Sequence, residues 1–111
     1  MSISRDERSL SSAMSEPPRN VRTAHFNEQL NRLPERIQRL AVSAFKRFCE
    51  NPAHPALRLH SLRDNDKGQH RAGSMSVTIT MQYRAVYVKD GETNVWYWVG
   101  THKQYDTYTG S

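Results

Sequence analysis

Five residues towards the C-terminal end of this 111-residue chain have side chains suited to holding phosphate or moving protons. Arg84 opens the segment Tyr83-Arg84-Ala85-Val86-Tyr87 and shares the parity of Val86 and Val88. A guanidinium on a face otherwise made of valines is costly to bury unless it is paired or reaches a sheet rim. It can snorkel to solvent or pair with Asp106 or Glu92, or it can serve as a fork that takes phosphate oxygens two at a time. His102 follows Gly100 and Thr101, and imidazole is the side chain most often used as a general acid or base. Tyr105 and Tyr108 can donate or accept a proton or stack on a base, and can equally pack the chain's end onto a sheet. Asp106 is spaced to orient His102 or to cap the C-terminal segment.

Other chemistries find no support in the residue pattern. His25, His54, His60 and His70 are scattered, with no pair at metal-ligand spacing beside carboxylates or cysteines, so neither a metal site nor a cofactor is expected. The five glycines are isolated and form no phosphate-cradling loop, and no serine stands in a nucleophile elbow. Cys49 is the only cysteine, which excludes an internal disulfide and suits a reducing, cytoplasmic setting. No segment has the apolar run of a signal peptide or the length of a membrane span, so no membrane partner is expected. The net charge is +5, with 16 Lys+Arg against 11 Asp+Glu. Residues 1–20 hold three of each sign, so the excess belongs to the rest of the chain. A small basic domain points to a polyanion or an acidic protein partner.

These residues need a scaffold, and the pattern predicts one. Residues 1–20 are serine-rich, mixed in charge and closed by Pro17-Pro18, and are expected to be a flexible N-terminal tail. Residues 21–111 are expected to form a single domain. Val21–Ala24 is a candidate edge strand. Leu30, Leu33, Ile37, Leu40, Ala41, Ala44, Phe45 and Phe48 recur every three or four residues, which predicts one apolar helix face. Pro34 divides that stretch into a short helix near 25–32 and a long one over 34–50. Leu57–Leu62 alternates with period two, with Leu57 and Leu59 on one face and Arg58, His60 and Leu62 on the other. Asp64–Arg71 is a polar loop. Strands follow around Met75–Ile79, at Tyr83–Val88 and at Val95–Thr101, the last two joined by a turn at Asp90-Gly91. Alternation along Val95–Val99 puts Val95, Tyr97 and Val99 on one face and Trp96 and Trp98 on the other. The turn sets Tyr83-Arg84 opposite Val99–Thr101, which makes Arg84 and His102 neighbours. Helices first and strands after predict an α+β domain with the helices on one sheet face.

Three blocks, LPERIQRLAVSAFKRFCENPAHPALRLHSL, SVTITMQYRAVYV and VWYWVGTHKQYD, resemble in order and spacing the RelE/ParE family of type II toxin–antitoxin toxins. The resemblance covers about residues 25–108. It implies an N-terminal helical hairpin packed on a small, mainly antiparallel, twisted β-sheet. For the RelE branch it implies a metal-independent endoribonuclease, or mRNA interferase, acting on mRNA at the ribosome, with Arg84 on the scissile phosphate and His102 as acid or base. Tyr105 or Tyr108 would stack on a base or share the proton transfers, and Arg58, Arg63, Lys67, Arg71 and Lys103 would hold the RNA backbone. The lysines that some members carry in the second strand region are absent, which leaves the general base unassigned. For the ParE branch it implies inhibition of DNA gyrase by protein contact; a non-catalytic antitoxin-binding member is the remaining alternative. Each of these implies a cognate acidic antitoxin that wraps the basic domain.

Overall fold

The computed structural model describes residues 19–64 and 66–110, so the expected tail lies outside the described residues except for Arg19 and Asn20. Those two open a strand, β1 (Arg19–Arg22), two residues earlier than the alternation suggests. Thr23 ends it by capping the helix that follows: its hydroxyl accepts from the Phe26 N–H at 3.0 Å. Helix α1 (Ala24–Asn31) and helix α2 (Glu35–Glu50) are separated at Pro34, whose fixed φ suits the entry to α2.

After α2 the chain departs from the expected strand over residues 57–62. Pro55–Leu57 is a short 3-10 turn, begun by His54, whose ring accepts from the Ala56 N–H, and Arg58 adopts the left-handed region at φ 46°. That conformation breaks the extended run, leaving only β2 (His60–Ser61) paired to the sheet. Strands β3 (Ser74–Thr80), β4 (Tyr83–Asp90) and β5 (Thr93–Thr101) form a meander. Gly91, at φ 65°, supplies the turn that Asp90-Gly91 predicts. The spatial order is β1-β5-β4-β3-β2, antiparallel throughout except that β1 runs parallel to β5. The chain ends in a third helix, α3 (His102–Thr109), which the pattern of apolar residues does not announce.

The two helices of the hairpin cover one face of the sheet. Phe26, Ala44, Phe48, Leu57, Val77, Ala85, Tyr87, Trp96 and Val99 form that core, with Trp96 at its centre. The Trp96 ring meets Phe48 edge-on at 5.2 Å and Tyr87 at 4.6 Å, geometries that add to area burial. The helical stripe is not wholly buried: Ile37, Ala44 and Phe48 are, whereas Leu40 is 36% exposed and Phe45 40%. Phe45, with Ala41 and Val42, lines a groove of about 350 Å³ between the hairpin and the sheet, so a periodic stripe here exceeds what the chain's own sheet covers. The opposite face is covered by α3, with Leu62 and Arg71 from the segment between β2 and β3 packed beside it.

Strict alternation along β5 also fails. Val86 pairs with Trp98 but Tyr87 pairs with Trp96, so Tyr97 is an extra residue in a β-bulge. In consequence Trp96 and Val99 join the hairpin core, while Tyr97 and Trp98 pack with Val86 and Tyr105 under α3. The predicted separation of Val95, Tyr97 and Val99 from Trp96 and Trp98 is therefore corrected. A bulge lets both faces of one strand carry large aromatics without displacing the register of its end.

Candidate functional site

The β4–β5 ladder pairs Tyr83 with Thr101 and Arg84 with Gly100, as the turn predicts. Pairing runs one step further, because the His102 N–H donates to the Gln82 carbonyl at 2.7 Å. Arg84 and His102 are thus held on adjacent chains, one diagonal step apart, at the end of the sheet. Arg84 is 9% exposed and pairs with neither Asp106 nor Glu92. Its Nη1 instead donates to the carbonyls of Thr80 (2.6 Å), Met81 (3.2 Å) and Tyr83 (3.2 Å). One arm of the guanidinium thereby fastens the β3–β4 turn. Nε and Nη2 have no hydrogen-bond partner among the described residues and are not among the buried atoms lacking one, so they remain open to a ligand from solvent. With no carboxylate in ion-pair contact among the described residues, the guanidinium charge is available to an incoming anion.

Helix α3 starts immediately beside that turn because Thr101 and Gln104 form a capping box. The Thr101 hydroxyl accepts from the Gln104 N–H at 3.1 Å and the Gln104 Oε1 accepts from the Thr101 N–H at 2.9 Å. Helical spacing then lines His102, Tyr105, Asp106 and Thr109 along one side. His102 Nε2 stands 3.5 Å from Asp106 Oδ2, one turn away, with both side chains about half exposed. A pair so placed adds little stability but limits the ring's orientations. The His102 and Tyr105 rings meet edge to face at 6.2 Å.

Tyr105 is buried, and its hydroxyl lies 3.3 Å from Nε2 of His60 on β2. The other ring nitrogen of His60, Nδ1, is 3.0 Å from the Arg58 carbonyl. A carbonyl can only accept, so Nδ1 carries the hydrogen, and in a neutral ring Nε2 is then the acceptor of the Tyr105 O–H. Protonation of His60 would reverse that bond, with the phenol oxygen accepting. Tyr105 therefore joins two histidines that come from opposite edges of the meander.

Tyr108 lies on the other side of α3. It stacks on Trp98 at 4.9 Å with 14° between planes and approaches Tyr97 at 6.5 Å. Burial, with Tyr97 next to it, pushes its phenol up to about 12, although the nearby Arg71 charge acts the other way. It remains a neutral O–H donor and is unsuited to be a base near neutral pH. Arg71 lies over the Tyr97 ring at 4.7 Å, and exposed Lys103 lines an open cleft with Trp98 and Tyr108. Arg58, Arg63 and Lys67 are exposed around β2 and the loop after it, where the Arg63 carbonyl meets Nε2 of His70 at 2.6 Å.

The predicted site residues thus fall into three groups: Arg84, His102, Tyr105 and Asp106 near one another; Tyr108, Arg71 and Lys103 across α3; and Arg58, Arg63 and Lys67 around β2. His60 belongs with the first group and was dismissed in sequence as one of several scattered histidines. Its partner lies 45 residues away, although the shared parity of Arg58, His60 and Leu62 already separates it from the leucines of the hairpin core. The Thr-x-x-Gln spacing at Thr101–Gln104 was the available signal for α3. Among the described residues no three His, Cys, Asp or Glu side chains converge to hold a metal ion, and no helix is long and apolar enough to cross a membrane.

No protein-family model matches the sequence, and comparison with curated proteins finds no match. Solved structures do match. A chain of the RelBE2 toxin–antitoxin complex from Mycobacterium tuberculosis is 26% identical, with a TM-score of 0.59 over 78% of this chain and 100% of that one. YafQ from E. coli superposes with a TM-score of 0.61 at 12% identity, over 79% of this chain and 97% of its own. The YoeB/ParE toxin from Agrobacterium tumefaciens gives 0.57 at 18% identity, over 76% and 98%.

Proposed function

On the premise that this chain has the RelE/ParE-type toxin fold, we propose that it is the toxin of a type II toxin–antitoxin system and acts as a metal-independent endoribonuclease on mRNA. The observation that carries this reading is the grouping of two histidines, a tyrosine and an arginine with no acidic partner around one end of the sheet.

Cleavage of RNA without metal requires three things: removal of the 2′-OH proton, stabilisation of charge on the adjacent phosphate, and protonation of the leaving 5′-oxygen. Arg84 would meet the phosphate with Nε and Nη2, since Nη1 is held by the turn. His102, with Asp106 limiting its rotation, would exchange one proton with substrate. His60, coupled through the Tyr105 hydroxyl, would take the complementary role. The 2′-oxygen bonds to phosphorus, the P–O5′ bond breaks, and the products carry a cyclic phosphate and a 5′-hydroxyl. Arg58, Arg63, Lys67, Arg71 and Lys103, all exposed, would supply positive charge for the RNA backbone. The ribosome is the proposed place of cutting and the cytoplasm its compartment.

The partner is proposed to be an acidic, amphipathic antitoxin. Antitoxin complexes among the similar structures, such as DinJ–YafQ from E. coli, support it. So does the groove of about 350 Å³, where exposed Val42 and Phe45 lie on a helix that also carries Arg36, Arg39 and Lys46.

The test is growth arrest and transcript cleavage on inducing the chain alone. His102→Ala and His60→Ala are expected to slow cleavage by roughly 10²–10⁴-fold with the fold intact, the range for loss of a general acid or base. Arg84→Lys keeps the charge but loses the fork, and should fall between those variants and the parent. Unchanged cleavage in both histidine variants would reject the site. Gyrase-dependent DNA breaks without transcript cuts would reject the nuclease.

A further inference from the structure

Strand β1 pairs only with the first part of β5, up to Trp96. Beyond it the outward N–H groups of Val99 and Thr101 have no neighbouring strand among the described residues, and an unpaired edge amide is costly to bury. Two glutamines from different helices take its place. Gln29 on α1 accepts from the Val99 N–H at 3.0 Å, and Gln104 on α3 accepts from the Thr101 N–H at 2.9 Å. Each carboxamide is therefore oriented by its oxygen, and the end it has left to offer is the Nε2 donor pair. Both glutamines wall one open cleft of about 420 Å³, together with Gln69, Trp98, Lys103 and Tyr108. The Trp98–Tyr108 stack provides an aromatic wall and Lys103 a cation at the edge.

Side-chain donors fixed by backbone amides, an aromatic wall and a flanking cation form a combination that reads a base in a single strand. We propose that this cleft is a nucleobase subsite beside the cleavage site, and that Gln29 and Gln104 favour bases with two adjacent acceptors. Guanine presents N7 and O6, and cytosine N3 and O2. Adenine sets its N6 donor beside N1 and N7 and leaves N3 as a lone acceptor on the sugar edge, and uracil has no adjacent acceptor pair. The base stacks against the aromatic wall, the two Nε2 groups donate to its edge, and Lys103 meets the phosphate. The proposal rests on the RNA-cutting reading and adds the residues that would decide where the cut falls.

The experiment uses the full chain and six-nucleotide 2′-O-methyl RNAs, UUNUUU, which cannot be cut, with binding followed by fluorescence anisotropy. Guanine and cytosine at N should bind about 5- to 150-fold more tightly than adenine and uracil, the discrimination of one two-point contact. Gln29→Glu and Gln104→Glu keep an oxygen for the strand amide and remove the donor. They should abolish the order of bases while leaving the Tm unchanged. Thr107→Glu, at the same cleft, controls for added charge and should weaken all four RNAs alike. Equal affinity for the four bases in the parent chain, or an order that survives both Gln→Glu variants, overturns the subsite. Transcript cleavage measured in parallel separates the two readings. Cutting with no base order rejects the subsite alone, and base-ordered binding without cutting rejects the nuclease alone. Failure to bind any of the RNAs overturns the subsite.

Discussion

The two faces of the sheet are built on different principles. The hairpin face is closed by two helices over five aromatic rings, with Phe26, Phe45, Phe48 and Tyr87 each in contact with Trp96. The other face is closed by the eight residues of α3, whose buried contribution to the apolar layer is Tyr105, together with Leu62 and Arg71 from the segment between β2 and β3. A helix of two turns cannot cover a five-stranded sheet, so its margins stay open to solvent, and Arg84, His60 and His102 sit at those margins. One face supplies stability and the other is left polar enough to do chemistry. The bulge at Tyr97 allows a single strand to serve both.

The comparison can be broken most forcefully by removing matched aromatic groups. Phe48→Ala should cost about 3–5 kcal/mol in a denaturant melt, since the ring is 4% exposed and touches both Tyr87 and Trp96. Tyr105→Phe keeps the ring and removes only the hydroxyl that meets His60. It should change stability by less than about 1.5 kcal/mol, the usual net worth of one hydrogen bond, yet reduce transcript cleavage. A large stability loss with unaltered cleavage would make the α3 face a second core.

A smaller effect tests whether α3 holds the site in register. Thr101→Ala removes the capping hydroxyl and should cost about 1 kcal/mol, with the protection of α3 amides from hydrogen exchange falling more than that of α2. Equal loss in both helices would contradict independent support of the two faces.

The smallest effect is confined to alkaline pH. The Tyr108 phenol is raised to about 12, so below its ordinary value of 10.0 it is neutral folded or unfolded and its contribution to stability is fully present. Between about 10 and 12 the unfolded chain ionises first, and stability falls with rising pH. Tyr108→Phe should flatten that part of the pH profile. Tyr87 on the hairpin face, raised by burial, and Cys49, raised by burial and the neighbouring Glu50 charge, add slope of the same sign.

Much of this arrangement is legible in residue order because it rests on local rules. The three- and four-residue recurrence from Leu30 to Phe48 marks the hairpin stripe, Pro34 marks its division, and Asp90-Gly91 marks the turn that aligns Arg84 with Gly100. Each acts within a few residues, where periodicity and backbone preference are decisive. The placement of Arg84 near His102 follows from that one turn.

Tertiary structure decided what depends on distant partners. The bulge at Tyr97 arises because both faces must pack against separate elements, and no alternation within β5 records that demand. The parallel seat of β1 on β5 and the glutamine caps at Val99 and Thr101 depend on where the sheet ends, a property of several strands together. His60 meets Tyr105 only once β2 and α3 are brought together across 45 residues of chain. Residue order by itself determined which groups can move a proton and that Arg84 and His102 stand together. Only packing over long sequence separations brought His60 to Tyr105, because such contacts leave no local period to read.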